Sequence, residues 1–203
     1  MSSARAVSEP KQDRSRFTRQ RLLEATVRCL AGRGWSAATV SVIAAEAGIS
    51  RGALQHHFPT REALVVAALD YVFEERRRQI EQLPPPTTTG AERVQTVVAT
   101  LMDTYNGQLF RAALHAWTAA AADEQVREVI APLERRFARS VHDLAVTHLG
   151  VDDGDPHVRT LIQATLDLGR GLALADLLTD DSKRRRRIVR TWSQMLAAEL
   201  EDA

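Results

Sequence analysis

The pentapeptide GISRG, Gly48–Gly52, fits the pattern G-x-S-x-G, in which one class of hydrolases carries a nucleophilic serine. That chemistry needs a buried strand before the serine and a strained turn that exposes it. The residues before this stretch, VSVIAAEA, have helical spacing, and no strand and helix alternation is predicted elsewhere to supply a sheet. We therefore expect no catalytic serine and no enzyme.

The same five residues suit the turn between two helices that bind DNA. Gly48 can adopt the left-handed conformation that ends a helix in a short turn. Ser50 can cap the next helix, whose N-terminal residues are the ones presented to base edges in a major groove. Gly52 lets the backbone approach a phosphate or another helix closely. The stretch thus favours a helix-turn-helix over a nucleophile.

Helical periodicity extends along most of the chain, and it is interrupted most clearly by PPPTTTG at 84–90. Thr39, Ser50, Thr60 and Asp155 are the expected N-caps. Pro132 is expected to kink or split its helix. No alternating pattern with turn signals predicts strands, so the fold class is all-α. The predicted helices cover 17–33, 40–47, 51–57, 61–83, 91–105, 109–122, 124–149, 156–178 and 182–200.

Composition and charge limit the kinds of partner that this chain is expected to bind. The chain has 203 residues, 44% hydrophobic and 26% charged, and no run approaches the roughly 18 apolar residues of a membrane helix. This predicts a cytoplasmic protein without a membrane partner. The single cysteine, Cys29, has no neighbours at metal-ligand spacing, so we expect neither metal nor cofactor. Residues 1–62 hold 10 Lys/Arg against 5 Asp/Glu, whereas the rest hold 17 against 21, so a polyanion should dock at the N-terminal end.

The stretch TVSVIAAEAGISRGALQHHFPTREAL, Thr39–Leu64, resembles the DNA-binding signature of TetR/AcrR-type transcriptional regulators. The composition of residues 1–16 predicts a basic arm that is disordered without DNA, and this arm either contacts DNA or is a solvated tail. The resemblance implies a helix-turn-helix domain at 17–62 and an effector-binding and dimerisation domain at 63–203. It also implies a homodimeric repressor that leaves a near-palindromic, double-stranded DNA operator when a small molecule binds. The remaining alternative is a helical DNA-binding protein without an effector.

The candidate DNA contacts follow from this resemblance. Gln55 departs from the family pattern, which commonly has an aromatic residue there, so the operator sequence cannot be inferred from the family. Arg51, Gln55 and His56 are the expected base-edge contacts, since bidentate Arg pairs with guanine and Gln with adenine. His57 is expected to pack inside the domain. The expected phosphate contacts are Thr39, Ser41, Ser50 and Arg61, with Gly52 allowing the close approach.

An effector site is expected among apolar and polar residues of the second domain, although aromatic residues at helical spacing also suit a core. The alanine-rich run RAALHAWTAAAADE leaves room for a ligand or for close helix packing. With only 5% aromatic residues, the chain favours a largely hydrophobic effector, such as an acyl thioester or a lipid-like metabolite, over a cationic drug. The candidates are Met102, Tyr105, Asn106, Phe110, Arg111, Leu114, His115, Trp117, Phe137, Val141 and His142.

The last two predicted helices carry apolar stripes. In the family such helices pair with their symmetry mates in a four-helix bundle, and the alternative is that both stripes face their own domain. The run KRRRR, 183–187, follows two aspartates and is interpreted as a solvated helix start. The expected dimer residues are Leu161, Thr165, Leu168, Gly169, Leu172, Ile188, Trp192, Met195 and Leu196.

Overall fold

The computed structural model describes residues 9–201, with side chains from residue 13 onward, and this part of the chain forms nine α-helices and no strand. The all-α fold class is therefore confirmed. Within the same residues, none of the helices combines the length and the apolar character needed to cross a bilayer. The helices are α1 (Glu9–Ala37), α2 (Val40–Ala47), α3 (Arg51–His57), α4 (Arg61–Glu81), α5 (Gly90–Thr104), α6 (Gly107–Ala122), α7 (Glu124–Leu149), α8 (Pro156–Asp176) and α9 (Ser182–Glu201).

Local capping explains where several helices begin. The side-chain oxygens of Thr39, Ser50, Thr60 and Asp155 each accept a hydrogen bond from a backbone N–H in the first turn, at 2.7 to 3.3 Å. Such a bond satisfies one of the N–H groups that have no partner within the helix. All four N-caps expected from the sequence are confirmed.

The first helix starts earlier than the sequence suggests. It begins at Glu9, within the segment expected to be a disordered arm, because Pro10 fits a first helical turn and no residue after it breaks the helix. Residues 1–8 of that arm lie outside the described residues. Gly34 interrupts α1 with a non-helical backbone, φ 79° and ψ 175°, close to the expected helix end.

Of the kink or split expected at Pro132, the structure excludes the split. The helix α7 continues through this proline from Glu124 to Leu149. A proline inside a helix leaves the carbonyl one turn earlier without its N–H partner. Pro132 is exposed, so water can hydrate that carbonyl.

The chain divides into two compact units. Unit 1 comprises residues 9–74 and 108–133 of the described chain, and it contains α1, α2, α3, most of α4 and most of α6. In it α1 packs on α2, and α2 packs on α3. Its fully buried side chains include Leu22, Leu30, Ile43, Leu54 and Leu64. Burial of these aliphatic groups is the main stabilising contribution to the helix-turn-helix.

Unit 2 comprises residues 75–107 and 134–201 of the described chain. In it α5 packs against both α8 and α9, and α8 packs against α9. Its fully buried side chains include Leu101, Ile162, Leu166 and Leu196. The boundary expected from the sequence, after residue 62, is a division by function and stays a prediction.

Candidate DNA-binding interface

Gly48 makes the turn between α2 and α3. Its backbone is left-handed, at φ 64° and ψ 38°, and its N–H donates back to the last turn of α2. The N–H of Ile49 donates to the carbonyl of Ala44, at 2.9 Å. These bonds close α2 in the way that a left-handed glycine commonly closes a helix. The turn places Ser50 at the start of α3, where its hydroxyl accepts from Ala53 N–H.

Arg21 of α1 contacts this turn through a hydrogen bond to its backbone. Its guanidinium donates to the carbonyl of Ala47, the last residue of α2, at 2.5 Å. A Cβ built on Gly48 would lie 2.9 Å from the Arg21 Nη2 atom. The turn therefore favours glycine because of the positive φ, and an added Cβ would also displace the arginine. Sequence reasoning missed Arg21, because nothing local to it indicates a contact 26 residues away.

The helix α3 has one buried and one exposed face. Leu54 is fully buried and Phe58, at the end of α3, is nearly so. The guanidinium of Arg19 lies 5.3 Å from the centre of the Phe58 ring, a cation–π contact that ties α1 to the end of α3. The three residues expected to contact bases are all exposed on this helix, and they are Arg51, Gln55 and His56.

The residues expected to contact phosphate are exposed at the start of α2 and α3. Thr39, Ser41, Ser50 and Gly52 are all exposed, and a Cβ built on Gly52 would meet no atom within 4 Å. The hydroxyls of Thr39 and Ser50 serve as caps, so any phosphate contact by them is additional to that bond. The backbone at Gly52 is open to close approach.

Arg61 makes internal contacts at the start of α4. Its Nε donates to the carbonyl of Ala38 at 2.9 Å, its Nη2 donates to the carbonyl of Trp35, and its guanidinium lies 4.6 Å from the Trp35 ring centre. The side chain is only 20% exposed. Arg61 thus joins the start of α4 to the segment between α1 and α2. Its role as a phosphate ligand stays a prediction.

Five of the expected effector residues belong to unit 1. Phe110 is buried and its ring meets that of Trp117 edge to face, with centroids 6.0 Å apart. His115 lies against the interruption of α1, since a Cβ built on Gly34 would be 3.4 Å from its ring. Leu114 and Trp117 are partly exposed, whereas Arg111 is exposed.

The other six expected effector residues belong to unit 2. Four of them, Met102, Tyr105, Phe137 and Val141, are buried. The two polar ones are bonded. Asn106 donates to Asp103 at 3.1 Å and accepts from Arg185 at 2.8 Å. His142 is paired with Asp153 at 3.0 Å, and its other ring nitrogen lies 3.5 Å from Gln163.

Tyr105 is the largest fully buried side chain of the described residues. Burial raises the pKa of its phenol to about 12, although the nearby Arg170 guanidinium, 5.6 Å from the ring centre, acts in the opposite direction. A Cβ built on Gly169 would lie 2.8 Å from this ring. Gly169 therefore makes room for Tyr105 within its own unit.

The residues expected at a dimer interface separate into two groups. Thr165, Gly169, Leu172 and Leu196 are buried within the chain. The others are at least partly exposed, and Met195 is 56% exposed. Four of these exposed residues, Leu168, Ile188, Trp192 and Met195, line a groove of about 480 Å³ on α8 and α9. The fifth, Leu161, lies outside the lining of this groove.

The serine of GISRG lacks the context of a nucleophile elbow. The residues before it form the helix α2 rather than a strand, and its hydroxyl accepts a backbone N–H as a helix cap. The geometry at this position is that of a helix-turn-helix.

Comparison with known proteins agrees with this geometry. Residues 22–68 match the family model for bacterial regulatory proteins of the tetR family. The chain is 27% identical over 133 residues to the HTH-type transcriptional regulator BetI of Brucella canis, and the match covers 66% of each protein, slightly less than two thirds.

Two solved structures share the fold. The transcriptional regulator FadR from Bacillus subtilis, in complex with stearoyl-CoA, has a TM-score of 0.67 at 14% identity over 89% of this chain and 98% of that one. The multidrug binding protein EbrR, complexed with proflavin, has a TM-score of 0.55 at 24% identity over 86% of this chain and 99% of that one. From the motif and these matches together, residues 22–68 form a helix-turn-helix domain of the kind found in bacterial regulatory proteins of the tetR family.

Proposed function

We propose that the chain is a homodimeric repressor that binds a near-palindromic operator through α3 and is released by a largely hydrophobic small molecule. The observation that carries this proposal is the exposure of Arg51, Gln55 and His56 on α3, a helix that is anchored by the buried Leu54. A helix anchored on one face and polar on the other is the geometry of a recognition helix in a major groove.

The electrostatics of the N-terminal region support DNA as the partner. A double-stranded DNA backbone attracts basic surfaces irrespective of sequence, and base contacts then supply the specificity. Arg51 is exposed at the start of α3 and its guanidinium makes no hydrogen bond to another described residue. It is therefore available for a bidentate bond to guanine, which discriminates by about 1–3 kcal/mol.

A two-fold dimer supplies the second recognition helix. Successive major grooves on one side of a duplex lie about 34 Å apart, so a dimer reads two half-sites. The partly exposed apolar residues of α8 and α9, including Leu168, Ile188 and Trp192, are the surface that we assign to the partner subunit. Covering these side chains stabilises the dimer by removing apolar area from water.

The effector is proposed to be apolar in most of its surface, with an acyl thioester as the preferred class. Support comes from the alanine-rich sequence of α6 and from the stearoyl-CoA bound by the FadR neighbour. The proflavin bound by the EbrR neighbour shows that this fold also accommodates a cationic aromatic ligand. The preference therefore needs a direct test.

Release from DNA requires that the effector bind the two conformers of the dimer unequally. A ligand shifts an equilibrium only by its differential affinity for the two states. A tenfold loss of operator affinity requires about 1.4 kcal/mol of preference for the conformer that does not bind DNA.

The DNA proposal can be tested by selecting bound fragments from genomic DNA with purified protein and then measuring affinity by fluorescence anisotropy. Arg51→Ala should weaken binding to the selected site by roughly ten- to a hundredfold and relax selectivity at one base pair per half-site. Arg139→Ala, an exposed arginine on α7, is the matched control and should bind normally. Selection of no sequence, or of the same sequence with equal affinity by the Arg51 variant, would refute the proposal.

The dimer and the effector need separate assays. Light scattering at micromolar concentration should give a dimer, and Ile188→Asp should give a monomer, whereas Leu178→Asp, at an 88% exposed leucine between α8 and α9, should not. A monomeric wild-type protein would contradict the dimer.

A thermal-shift screen with acyl thioesters, fatty acids and aromatic cations tests the effector class, because a ligand at a hundred times its Kd stabilises the folded protein by about 2.7 kcal/mol. Stabilisation by cations alone would contradict our preference.

A further inference from the structure

A cleft of about 370 Å³ lies within unit 2, between α5, the end of α8 and the first turns of α9. Its walls combine arginine side chains of α9 with apolar side chains of both helices, including Ala99 and Met102 from α5 and Val189 from α9. None of the α9 arginines was expected to bind a ligand from the sequence alone.

Arg185 is a fixed part of this cleft. It donates to the side-chain oxygen of Asn106 at 2.8 Å and to the carbonyl of Met102 at 3.1 Å. Its guanidinium also lies 3.9 Å from the carboxylate of Asp103 and 4.0 Å from that of Asp176. Because both acids of the cleft face this one partly buried arginine, its charge is offset and the wall is held in place.

Arg186 and Arg190 are the two remaining cations of the cleft. Arg184 pairs with Asp181 at 2.7 Å, outside the cleft, and Arg185 is directed inward. Arg186 and Arg190 stand one turn apart on the same face of α9, and both are exposed. Neither guanidinium donates a hydrogen bond to another described residue. The cleft thus has two unoccupied bidentate donors.

The apolar side chains define the rest of the ligand. Ala99 is exposed on α5 and has only a methyl group, so the space above it is open to a ligand. Met102 and Val189 line the cleft beside it. A purely ionic ligand would leave this apolar area uncovered, and a purely apolar ligand would desolvate the two arginines without compensation.

We propose that this cleft binds an anionic amphiphile, with its acid group held between Arg186 and Arg190 and its first apolar carbons over Ala99 and Val189. Both phosphate and carboxylate fit the planar donor pair of arginine. Binding of this ligand to the cleft requires no DNA. The inference rests on the proposed function only where it identifies this ligand with the effector that releases the operator.

The test uses the full chain and isothermal titration calorimetry with octyl phosphate, octanoate and octylammonium. Octyl phosphate and octanoate show which acid group is preferred, and octylammonium reverses the charge on the same alkyl chain. The double variant Arg186→Gln/Arg190→Gln should bind the preferred anion at least tenfold more weakly. The matched control is Arg135→Gln/Arg139→Gln, a pair of exposed arginines one turn apart on α7, which should bind like the wild type.

A second variant tests the apolar part independently of charge. Ala99→Phe fills the space above α5, so it should weaken octyl phosphate several times more than it weakens inorganic phosphate. Circular dichroism of each variant checks that it is folded. Equal binding of the anions by the wild type and the α9 double variant would refute the proposed binding site. So would an equal loss of affinity in the α7 control, or binding of octylammonium as tight as that of the anions.

The same reagents separate this inference from the proposed function. Arginine-dependent binding of octyl phosphate by a protein that selects no operator supports the cleft and refutes the repressor. Release of operator by octyl phosphate that is unchanged in the α9 double variant supports the repressor and refutes the identification of the cleft ligand with the effector.

Discussion

Replacing Gly48 with alanine should destabilise unit 1 by about 2 kcal/mol, and the value follows from two contributions. A left-handed backbone costs a residue with a Cβ roughly 1–2 kcal/mol. In addition, the new Cβ would lie 2.9 Å from Arg21 Nη2, so the arginine must withdraw from the Ala47 carbonyl. A hydrogen bond of this kind contributes about 0.5–1.5 kcal/mol, and Arg21 is exposed, so the lower end applies.

Gly52→Ala is the matched control, because this glycine is four residues away and its added Cβ meets no atom within 4 Å. Gly52 lies inside α3, where alanine is favoured over glycine by up to about 1 kcal/mol. The two substitutions make the same chemical change, yet the expected changes in stability have opposite signs.

Urea unfolding followed by circular dichroism measures both changes, and fluorescence of Trp35 and Trp117 reports on unit 1. A double-mutant cycle with Arg21→Met separates the two contributions, because Gly48→Ala should cost less when the arginine is absent. The reasoning is refuted if Gly48→Ala leaves the unfolding free energy within about 0.5 kcal/mol of wild type, or if Gly52→Ala destabilises to the same extent.

Three further predictions concern other contacts. Gly169→Ala should lower the melting temperature, because its Cβ would lie 2.8 Å from the buried Tyr105 ring and such overpacking costs about 1–3 kcal/mol. Burial lowers the pKa of His148 below the ordinary histidine value of 6.5, and a hydrogen bond with the backbone of Leu83 partly opposes this shift. The unfolded chain therefore takes up the proton first, and urea titrations should show stability falling as the pH drops below about 6.5, a dependence that His148→Gln should reduce. Arg61→Met should destabilise the protein to urea by about 1–3 kcal/mol, because it leaves two backbone carbonyls without their charged donor.

The glycine and histidine variants each have a matched control. Gly171→Ala, where an added Cβ would meet nothing within 4 Å, should not be destabilising. His157→Gln, on an exposed histidine, should leave the pH dependence in place. Loss of stability in the Gly171 variant, an unaltered pH profile in the His148 variant, or wild-type stability in the Arg61 variant would contradict the corresponding argument.

The sequence predicts what depends on neighbouring residues. Thr39, Ser50 and Thr60 cap their helices because a hydroxyl reaches an N–H three residues on, a relation that the chain spacing alone determines. The exposure of Gln55 and His56 follows in the same way from the burial of Leu54 on the same short helix. These local relations gave the fold class and the face of the candidate DNA interface.

Contacts between distant residues could not be predicted in this way. Arg61 resembles a phosphate ligand in the sequence, and only the packed structure brings the carbonyls of Trp35 and Ala38 within its reach. Gly169 resembles a site of close helix approach, and the structure fills that space with Tyr105. An apolar position on a helix has the same pattern whether it lines a core or a pocket, so the effector residues could be proposed but not distinguished from the core.

Several arginines of unit 1 are bonded within the protein, and this limits how many of its positive charges can contact DNA phosphates. Arg21 and Arg61 donate to backbone carbonyls, and Arg28 pairs with Glu46 at 3.0 Å. Counterions are displaced from DNA by cations that reach phosphate, and each such contact steepens the decline of affinity with salt. A guanidinium group that keeps its internal bonds when DNA binds adds nothing to that slope. The ionic-strength dependence of operator binding should thus be shallower than the arginine count of this region implies, and the protein should retain more of its affinity as salt rises.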